Sequence, residues 1–221
     1  AFTVSGSTIT FASNLVTGDV INFIQILGNV LDLGVPSDST VSLAKLTATG
    51  TKNSTTFLRG DNTFNAPPNT GITEVDQFRL TADLTNPGNA DITANLERVD
   101  DAAFSKIGTG MSLSSGIYTF PSTGTYLIIL TLQGYVVSSD NIVLSLFTTT
   151  DNSSYNTAAR VVLSGTNSEN LGSNFFYFNV SNTSTHKAKF VAQSIASGSS
   201  FSGSTDKNGT CFSFIRLGDS T

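Results

Sequence analysis

Apolar and polar residues alternate along most of this chain, the pattern of strands that bury one face. Near the start, Phe2, Val4, Ile9 and Phe11 are separated by Ser and Thr, a turn sequence follows at Thr17-Gly18-Asp19, and a denser apolar run spans Val20 to Leu27. Residues 1–33 are therefore expected to form a small β unit with a hairpin-type reversal. A unit so short buries little by itself, so it is expected to pair with chain upstream of Ala1 or with partner subunits. Across residues 34–70 the alternation stops, and Ser, Thr, Asn, Gly and Pro dominate as in a linker. Val41-Ser42-Leu43-Ala44-Lys45-Leu46 predicts a short helix or turn there. Phe57, Leu58 and Phe64 supply apolar anchors, and Pro67-Pro68 forces extended backbone. A segment with apolar anchors but no core of its own gains stability if three copies wind around each other.

Residues 71–221 carry the main body. Strand-like runs recur between Gly, Asn and Ser turns: Thr73 to Leu84, Ala103 to Ile107, Gly116 to Phe120, Thr125 to Val137, Asn141 to Thr148, Ala158 to Ser164, Ser173 to Val180, His186 to Ile195 and Thr210 to Leu217. No capped helical segment interrupts them. About eight or nine strands in ~150 residues imply an all-β sandwich, most commonly a jelly roll.

Composition narrows the function classes. Lys and Arg number 11 against 16 Asp and Glu, a net charge of −5, and charged residues make up only 12% of the chain. That is about half the usual share, and hydroxyl and amide residues fill the gap. Such a surface suits an extracellular or virion protein. It argues against nucleic-acid binding, which needs a clustered basic face. Cys211 is the single cysteine, so no intrachain disulfide and no thiolate metal site are expected. Within Thr210-Cys211-Phe212 it reads as a small packed hydrophobe, with a reactive or interchain thiol as the alternative. No apolar stretch approaches the ~20 residues of a membrane helix, so no membrane insertion is expected. No secretory signal is visible, and because the strand pattern is already under way at Ala1, chain upstream is expected.

The stretch Gly116-Ile117-Tyr118-Thr119-Phe120-Pro121-Ser122-Thr123-Gly124-Thr125-Tyr126-Leu127-Ile128 resembles the signature of the complement globular-head and tumour-necrosis-factor-like superfamily. In that pattern Pro121 and Gly124 make a corner, while Tyr118, Phe120 and Tyr126 fill the core on either side. Thr210-Cys211-Phe212-Ser213-Phe214-Ile215-Arg216-Leu217-Gly218 is similar to the superfamily's closing strand, which lies centrally in the inner sheet. The resemblance covers residues 72–218 and implies a jelly roll of about ten strands that assembles as a compact homotrimer. A second resemblance lies in the linker. Ser54-Thr55-Thr56-Phe57-Leu58-Arg59-Gly60-Asp61-Asn62-Thr63-Phe64 looks like a junction sequence of phage tail-fibre and tail-collar proteins, whose usual form has Gly in place of Asn62. Val4-Ser5-Gly6-Ser7-Thr8-Ile9-Thr10-Phe11 is likewise similar to small β modules near the attachment end of such fibres. Animal members of the superfamily carry a collagen Gly-X-Y stalk or a membrane anchor, and neither is visible here.

Enzymatic chemistry finds little support. His186 is the single histidine, in Ser184-Thr185-His186-Lys187, and reads as a surface residue on a strand edge. A catalytic triad also needs an oriented carboxylate and a nucleophile. Glu97, Asp100 and Asp101, beside Arg98, are candidates for a paired-carboxylate hydrolase but read more simply as a solvated turn. Asp76, Asp83, Asp91, Asp140 and Asp151 invite a calcium reading, yet none falls in a D-x-D-x-D loop. Arg59-Gly60-Asp61 matches the integrin-binding tripeptide and reads as a turn in which Gly60 supplies backbone freedom. No enzymatic activity, cofactor or metal is expected.

The jelly-roll order would place the termini of the globular part at one end and three connections at the other: Val137 to Asn141, Gly165 to Ser173 and Ser197 to Asn208. From these come the candidate receptor-binding residues Ser138, Ser139, Asp140, Asn141, Asn167, Glu169, Asn170, Ser199, Asp206 and Lys207. Small polar groups on exposed loops suit carbohydrate recognition. A lateral groove between subunits is the second location, with Tyr155 on a lateral loop, and loops that are merely solvated are the third reading. The expectation is a non-enzymatic trimeric adhesin on a phage virion, a fibre or spike tip that meets a glycan or protein of the host surface. Its N-terminal region would join other fibre, tail or capsid proteins. A head-fibre or capsid-decoration protein without a dedicated receptor is the alternative.

Overall fold

The computed structural model describes residues 2–6, 8–21, 41–67, 71–85, 88–138, 140–193 and 197–220. The chain divides into two compact units, Ala1–Pro67 and Pro68–Thr221.

In the first unit, β1 (Phe2–Ser5) and β2 (Thr8–Phe11) pair antiparallel, with Phe2 opposite Phe11 and Val4 opposite Ile9. Strand periodicity puts these four apolar side chains on one face and Thr3, Ser5, Thr8 and Thr10 on the other. The turn at Thr17-Gly18-Asp19 is present. The Asp19 N–H donates to the Val16 carbonyl at 3.0 Å, and the Val16 N–H donates to the Asp19 carboxylate at 2.8 Å. Most of the Val20 to Leu27 run lies outside the described residues.

Residues 41–67 are more ordered than a linker composition implies. A 3₁₀ turn spans Leu43–Lys45, where a short helix or turn was expected. β3 (Phe57–Leu58) and β4 (Phe64–Asn65) form a small hairpin, and a parallel bridge joins Thr49 to Thr63. The Lys52 ammonium donates to the Leu43 and Leu46 carbonyls and lies over the Phe64 ring. At the hairpin turn Asn62, not Gly60, takes the left-handed conformation (φ 61°). That is the position where the junction sequence usually has Gly, and Asn tolerates this region better than other side chains. The Asp61 carboxylate then accepts the Thr63 N–H and hydroxyl.

The second unit is a two-sheet sandwich. Its strands are β5 (Val75–Leu80), β6 (Leu84–Thr85), β7 (Ala90–Asp91), β8 (Leu96–Arg98), β9 (Ser112–Ser114), β10 (Ile117–Thr119), β11 (Gly124–Val136), β12 (Asp140–Thr149), β13 (Asn156–Gly165), β14 (Ser168–Val180), β15 (Lys187–Gln193), β16 (Ser200–Phe201) and β17 (Cys211–Gly218). One sheet runs β14-β11-β17-β5-β8, with β16 and β6 continuing beyond β17 along β11. The other runs β13-β12-β15-β10-β9, with β7 also paired to β15. All the named pairings in both sheets are antiparallel.

Alternation along β11 sends Tyr126, Ile128, Leu130 and Leu132 inward, where they meet Leu144 and Leu146 of β12, Phe190 of β15, and Phe212 and Phe214 of β17. Aromatic rings dominate the centre. Phe190 stacks on Phe212 at 3.7 Å, while Tyr118 meets Phe78 and Phe190 edge-on. The corner motif behaves as its residues imply: Tyr118, Phe120 and Tyr126 are buried, and the Tyr126 hydroxyl donates to the Ser122 carbonyl at 3.0 Å. Gly124 sits at φ 150°, and a Cβ there would collide with the Arg216 guanidinium and the Gly218 carbonyl.

The long strands lie close to their expected spans, with β14 beginning earlier, at Ser168. The Ala103 to Ile107 run forms no strand and contributes only a bridge from Ile107 to Val75. The short strands β6, β7, β8, β9 and β16 have no counterpart in the expected pattern, because two or three residues carry no periodic signal. Of the His186 to Ile195 run, Ser194 and Ile195 lie outside the described residues.

Candidate functional site

Antiparallel pairing brings three connections of the sandwich to one end. Val136 stands opposite Ser168, Tyr135 opposite Ser200, and Asp140 opposite Gly165. The ends of this unit meet at the other pole, where Val75 stands opposite Ile215 and Gly124 opposite Val180. Most of the sequence-predicted residues are thus gathered on one surface, each held by local geometry.

Ser138 and Asn167 are exposed and take left-handed turn conformations (φ 44° and 52°). Asn141 and Glu169 are exposed, Asp140 is half-buried, and Asn170 is half-buried with its amide donating to the Ser168 carbonyl. Asp206 and Lys207 are exposed in the loop before β17. Ser139 lies outside the described residues.

Two corrections follow. Ser199 is fully buried, and its hydroxyl accepts the Val137 N–H at 3.1 Å. It ties two connections together and cannot face a ligand. The expected loop from Gly165 to Ser173 is instead a tight hairpin over Thr166-Asn167, so Glu169 and Asn170 stand on β14 itself.

His186 is also not the surface residue expected. It is buried against the Phe178 ring, and its two ring nitrogens lie within hydrogen-bond distance of the Ser181 and Thr185 hydroxyls. No carboxylate orients it among these contacts. Glu97, Asp100 and Asp101 do not form a free solvated turn beside Arg98. They close on Arg79, a fully buried guanidinium whose Nε, Nη2 and Nη1 contact them at 2.7, 2.7 and 2.8 Å respectively. The hydrogen bond to Glu97 leads the causes that hold the Arg79 pKa above its ordinary value, ahead of the opposing effect of burial. Arg98 instead pairs with buried Asp76, which also accepts the Met111 N–H at 2.7 Å. Arg79 was missed because an arginine within an alternating strand reads as solvent-facing; the chain of β8 and residues 99–101 folds across it.

The aspartates that invited a calcium reading are spread over separate elements. Asp83 accepts the Gly203 N–H, Asp91 pairs with Lys189, and Asp151 accepts the N–H groups of Ser153 and Ser154. Those backbone donors hold the Asp151 carboxyl below the ordinary carboxylate range. Among the described residues no group of three His, Cys, Asp or Glu converges as a metal site. Cys211 is buried, and burial raises its thiol pKa. Among the described residues no helix is long and apolar enough to cross a membrane.

A second feature is apolar. Strand β14 forms an edge of its sheet and turns Leu171, Phe175 and Tyr177 away from the core, each more than half exposed. Half-buried Leu127, Ile129 and Ile215 share that face on β11 and β17. A folded monomer rarely leaves so continuous an apolar surface uncovered.

The strand order of the six-stranded and the seven-stranded sheet defines a jelly-roll sandwich of tumour-necrosis-factor-like topology. Solved structures agree on that fold. Murine APRIL superposes with a TM-score of 0.51 at 14% identity, over 66% of this chain and all of its own. The Eiger TNF of S. frugiperda superposes with the same TM-score and identity, over 66% of this chain and 94% of its own. The PRD1 vertex protein P5 aligns more loosely, with a TM-score of 0.44 at 16% identity, over 66% of this chain and 99% of its own. No family profile and no curated protein matches the sequence.

Proposed function

We propose that this chain is the distal part of a homotrimeric virion fibre or spike, a non-enzymatic adhesin whose jelly-roll head meets the host cell surface. The observation that carries the reading is the apolar face of β14, β11 and β17: among the described residues nothing covers Leu171, Phe175 and Tyr177, each of which stays more than half exposed. A closed ring of three copies would cover that face and leave the three connections at one pole free. The first unit, with its exposed apolar residues and phage-like junction hairpin, would join the other virion proteins. Three weak heads on one assembly gain avidity, so each site can be shallow. The hydroxyl- and amide-rich pole around Ser138, Asn141 and Asn167 suits a glycan.

The test is binding of the labelled full chain to intact candidate host cells, beside a variant with the three polar connections shortened. Saturable binding that the variant loses is the expected result. A folded trimer that binds no permissive host would instead favour a head-fibre or capsid-decoration role.

A further inference from the structure

One rung of side chains at the polar pole has no work inside the fold. Strands β14, β11, β16 and β6 lie side by side there. Their register sets Glu169 opposite Tyr135, Tyr135 opposite Ser200, and Ser200 opposite Thr85. Directly paired residues share a face, and here it is the outward one, since the next residues along, Val136 and Phe201, turn inward and are fully buried. Glu169 and Thr85 are exposed, while Tyr135 and Ser200 are half-buried. Among the described residues no hydrogen bond or ion pair engages any of these four side chains. The rung crosses three strand spacings, about 14 Å. On the same face, Gln133 stands opposite Leu171 and adds a half-buried amide beside an exposed apolar side chain.

This composition differs from the apolar face of the same sheet. Phe175 opposite Ile129 and Tyr177 opposite Leu127 stand nearer the other pole, about 20 Å or more along β11 from Tyr135. The apolar face can therefore be covered while the rung stays in water.

An aromatic ring with hydrogen-bonding groups on both sides matches the two needs of a sugar ring. The C–H groups of one pyranose face are apolar and weakly positive, and they pack on the negative face of a tyrosine ring. The hydroxyls at its rim need partners at the same level, because each one left unpaired costs desolvation energy. An ionised carboxylate accepts hydroxyl donors with the strength of a charged acceptor, and Ser, Thr and Gln side chains both donate and accept. No cation stands on the rung, and Glu169 would repel an acidic sugar, so charge selects a neutral one.

We infer that the rung Glu169–Tyr135–Ser200–Thr85 is the glycan subsite of the head, where a neutral sugar stacks on Tyr135 and Glu169 accepts its hydroxyls. The inference rests on the adhesin reading and adds the subsite and the class of sugar it takes.

The experiment titrates intact candidate host cells with the labelled full chain as wild type, Tyr135→Ala, Tyr135→Phe and Glu169→Ala. Wild type is also titrated at high salt and on cells treated with periodate, which cleaves the vicinal diols of sugars. Tyr135→Ala and Glu169→Ala are each expected to raise the half-saturating concentration by about tenfold or more. Tyr135→Phe keeps the ring and should weaken binding less than Tyr135→Ala. Periodate should remove binding, and salt should leave it in place, because a neutral ligand has no charge to screen. Glu169 is exposed, so its variant should keep the thermal midpoint of the head and separate lost binding from lost fold. Wild-type binding that neither alanine weakens, that survives periodate or that salt abolishes would overturn the inference and leave the adhesin reading in place. A folded trimer that binds no permissive host would overturn both.

Discussion

The two units differ in how they come to be folded. In Ala1–Pro67, Ala48 is the single buried hydrophobic among the described residues, while Phe2, Val4, Val16, Leu43, Phe57 and Leu58 are exposed. In Pro68–Thr221 one continuous cluster of Leu, Ile, Val and aromatic residues fills the space between two sheets. Both have strands and both have turns held by side-chain hydrogen bonds. Among the described residues, only the second buries its apolar surface in a core. The lesson is that local order and independent stability are separate properties: turn chemistry can set the path of a chain, but burial must hold it there.

The largest expected effect separates the units by one ring in each. Phe212→Ala removes a buried phenyl that stacks on Phe190 and is expected to cost about 3–5 kcal/mol, read from the urea midpoint of the head. Phe57→Ser, at a half-exposed position of the junction hairpin, is expected to leave that midpoint unchanged while weakening assembly of the full chain. A Phe57→Ser chain that unfolds at lower urea even when fully dissociated would show that the first unit carries a core of its own.

The acid limb of the head's stability offers a smaller effect. The folded Asp151 carboxyl is held below its ordinary range by the Ser154 and Ser153 N–H groups, followed by the Thr149 hydroxyl. Its contribution is therefore complete above the unfolded carboxylate value of about 3.9 and fades as pH falls through the lower folded value. Asp151→Asn keeps an oxygen acceptor but cannot titrate, so the head of this variant should lose less stability between about pH 4 and pH 2 than wild type. Parallel acid curves for the two proteins would contradict the role given to this loop. The smallest effect is at Tyr118, whose hydroxyl is buried with no hydrogen-bond partner among the described residues. Tyr118→Phe removes an unsatisfied group and should change stability by no more than about 1 kcal/mol, in the stabilising direction if at all. A loss of several kcal/mol in the same urea titration would mean that the hydroxyl is bonded after all.

Much of the sandwich was legible because long strands announce themselves. Alternation along Thr125 to Val137 predicts which face of β11 is buried, and Tyr126, Ile128 and Leu130 are the residues that fill it. The Tyr118-Phe120-Gly124-Tyr126 corner was legible from residue type alone. What could not be read depends on contacts distant in sequence. Arg79 carries no mark of burial, since its covering carboxylates arrive from Glu97, Asp100 and Asp101. His186 is interior with the Phe178 ring packed on it, and buried Ser199 accepts the Val137 N–H, contacts that residue type alone does not announce. The polar pole was found from strand direction, whereas the exposed apolar face of β14 was not, because Leu171, Phe175 and Tyr177 alternate with Phe176 and Phe178 and the run reads as apolar on both sides.

The central claim is that the apolar face of the head and the exposed apolar residues described in the first unit are both covered by further copies of the chain. The most direct measurement is the mass of the purified full chain in solution by sedimentation equilibrium across a wide concentration range. A single species of three chains, dissociating only on dilution or in denaturant, is the expected result. A compact, natively folded monomer at every concentration would contradict the claim, because Phe175 and Tyr177 would then stand in water without cost to the fold.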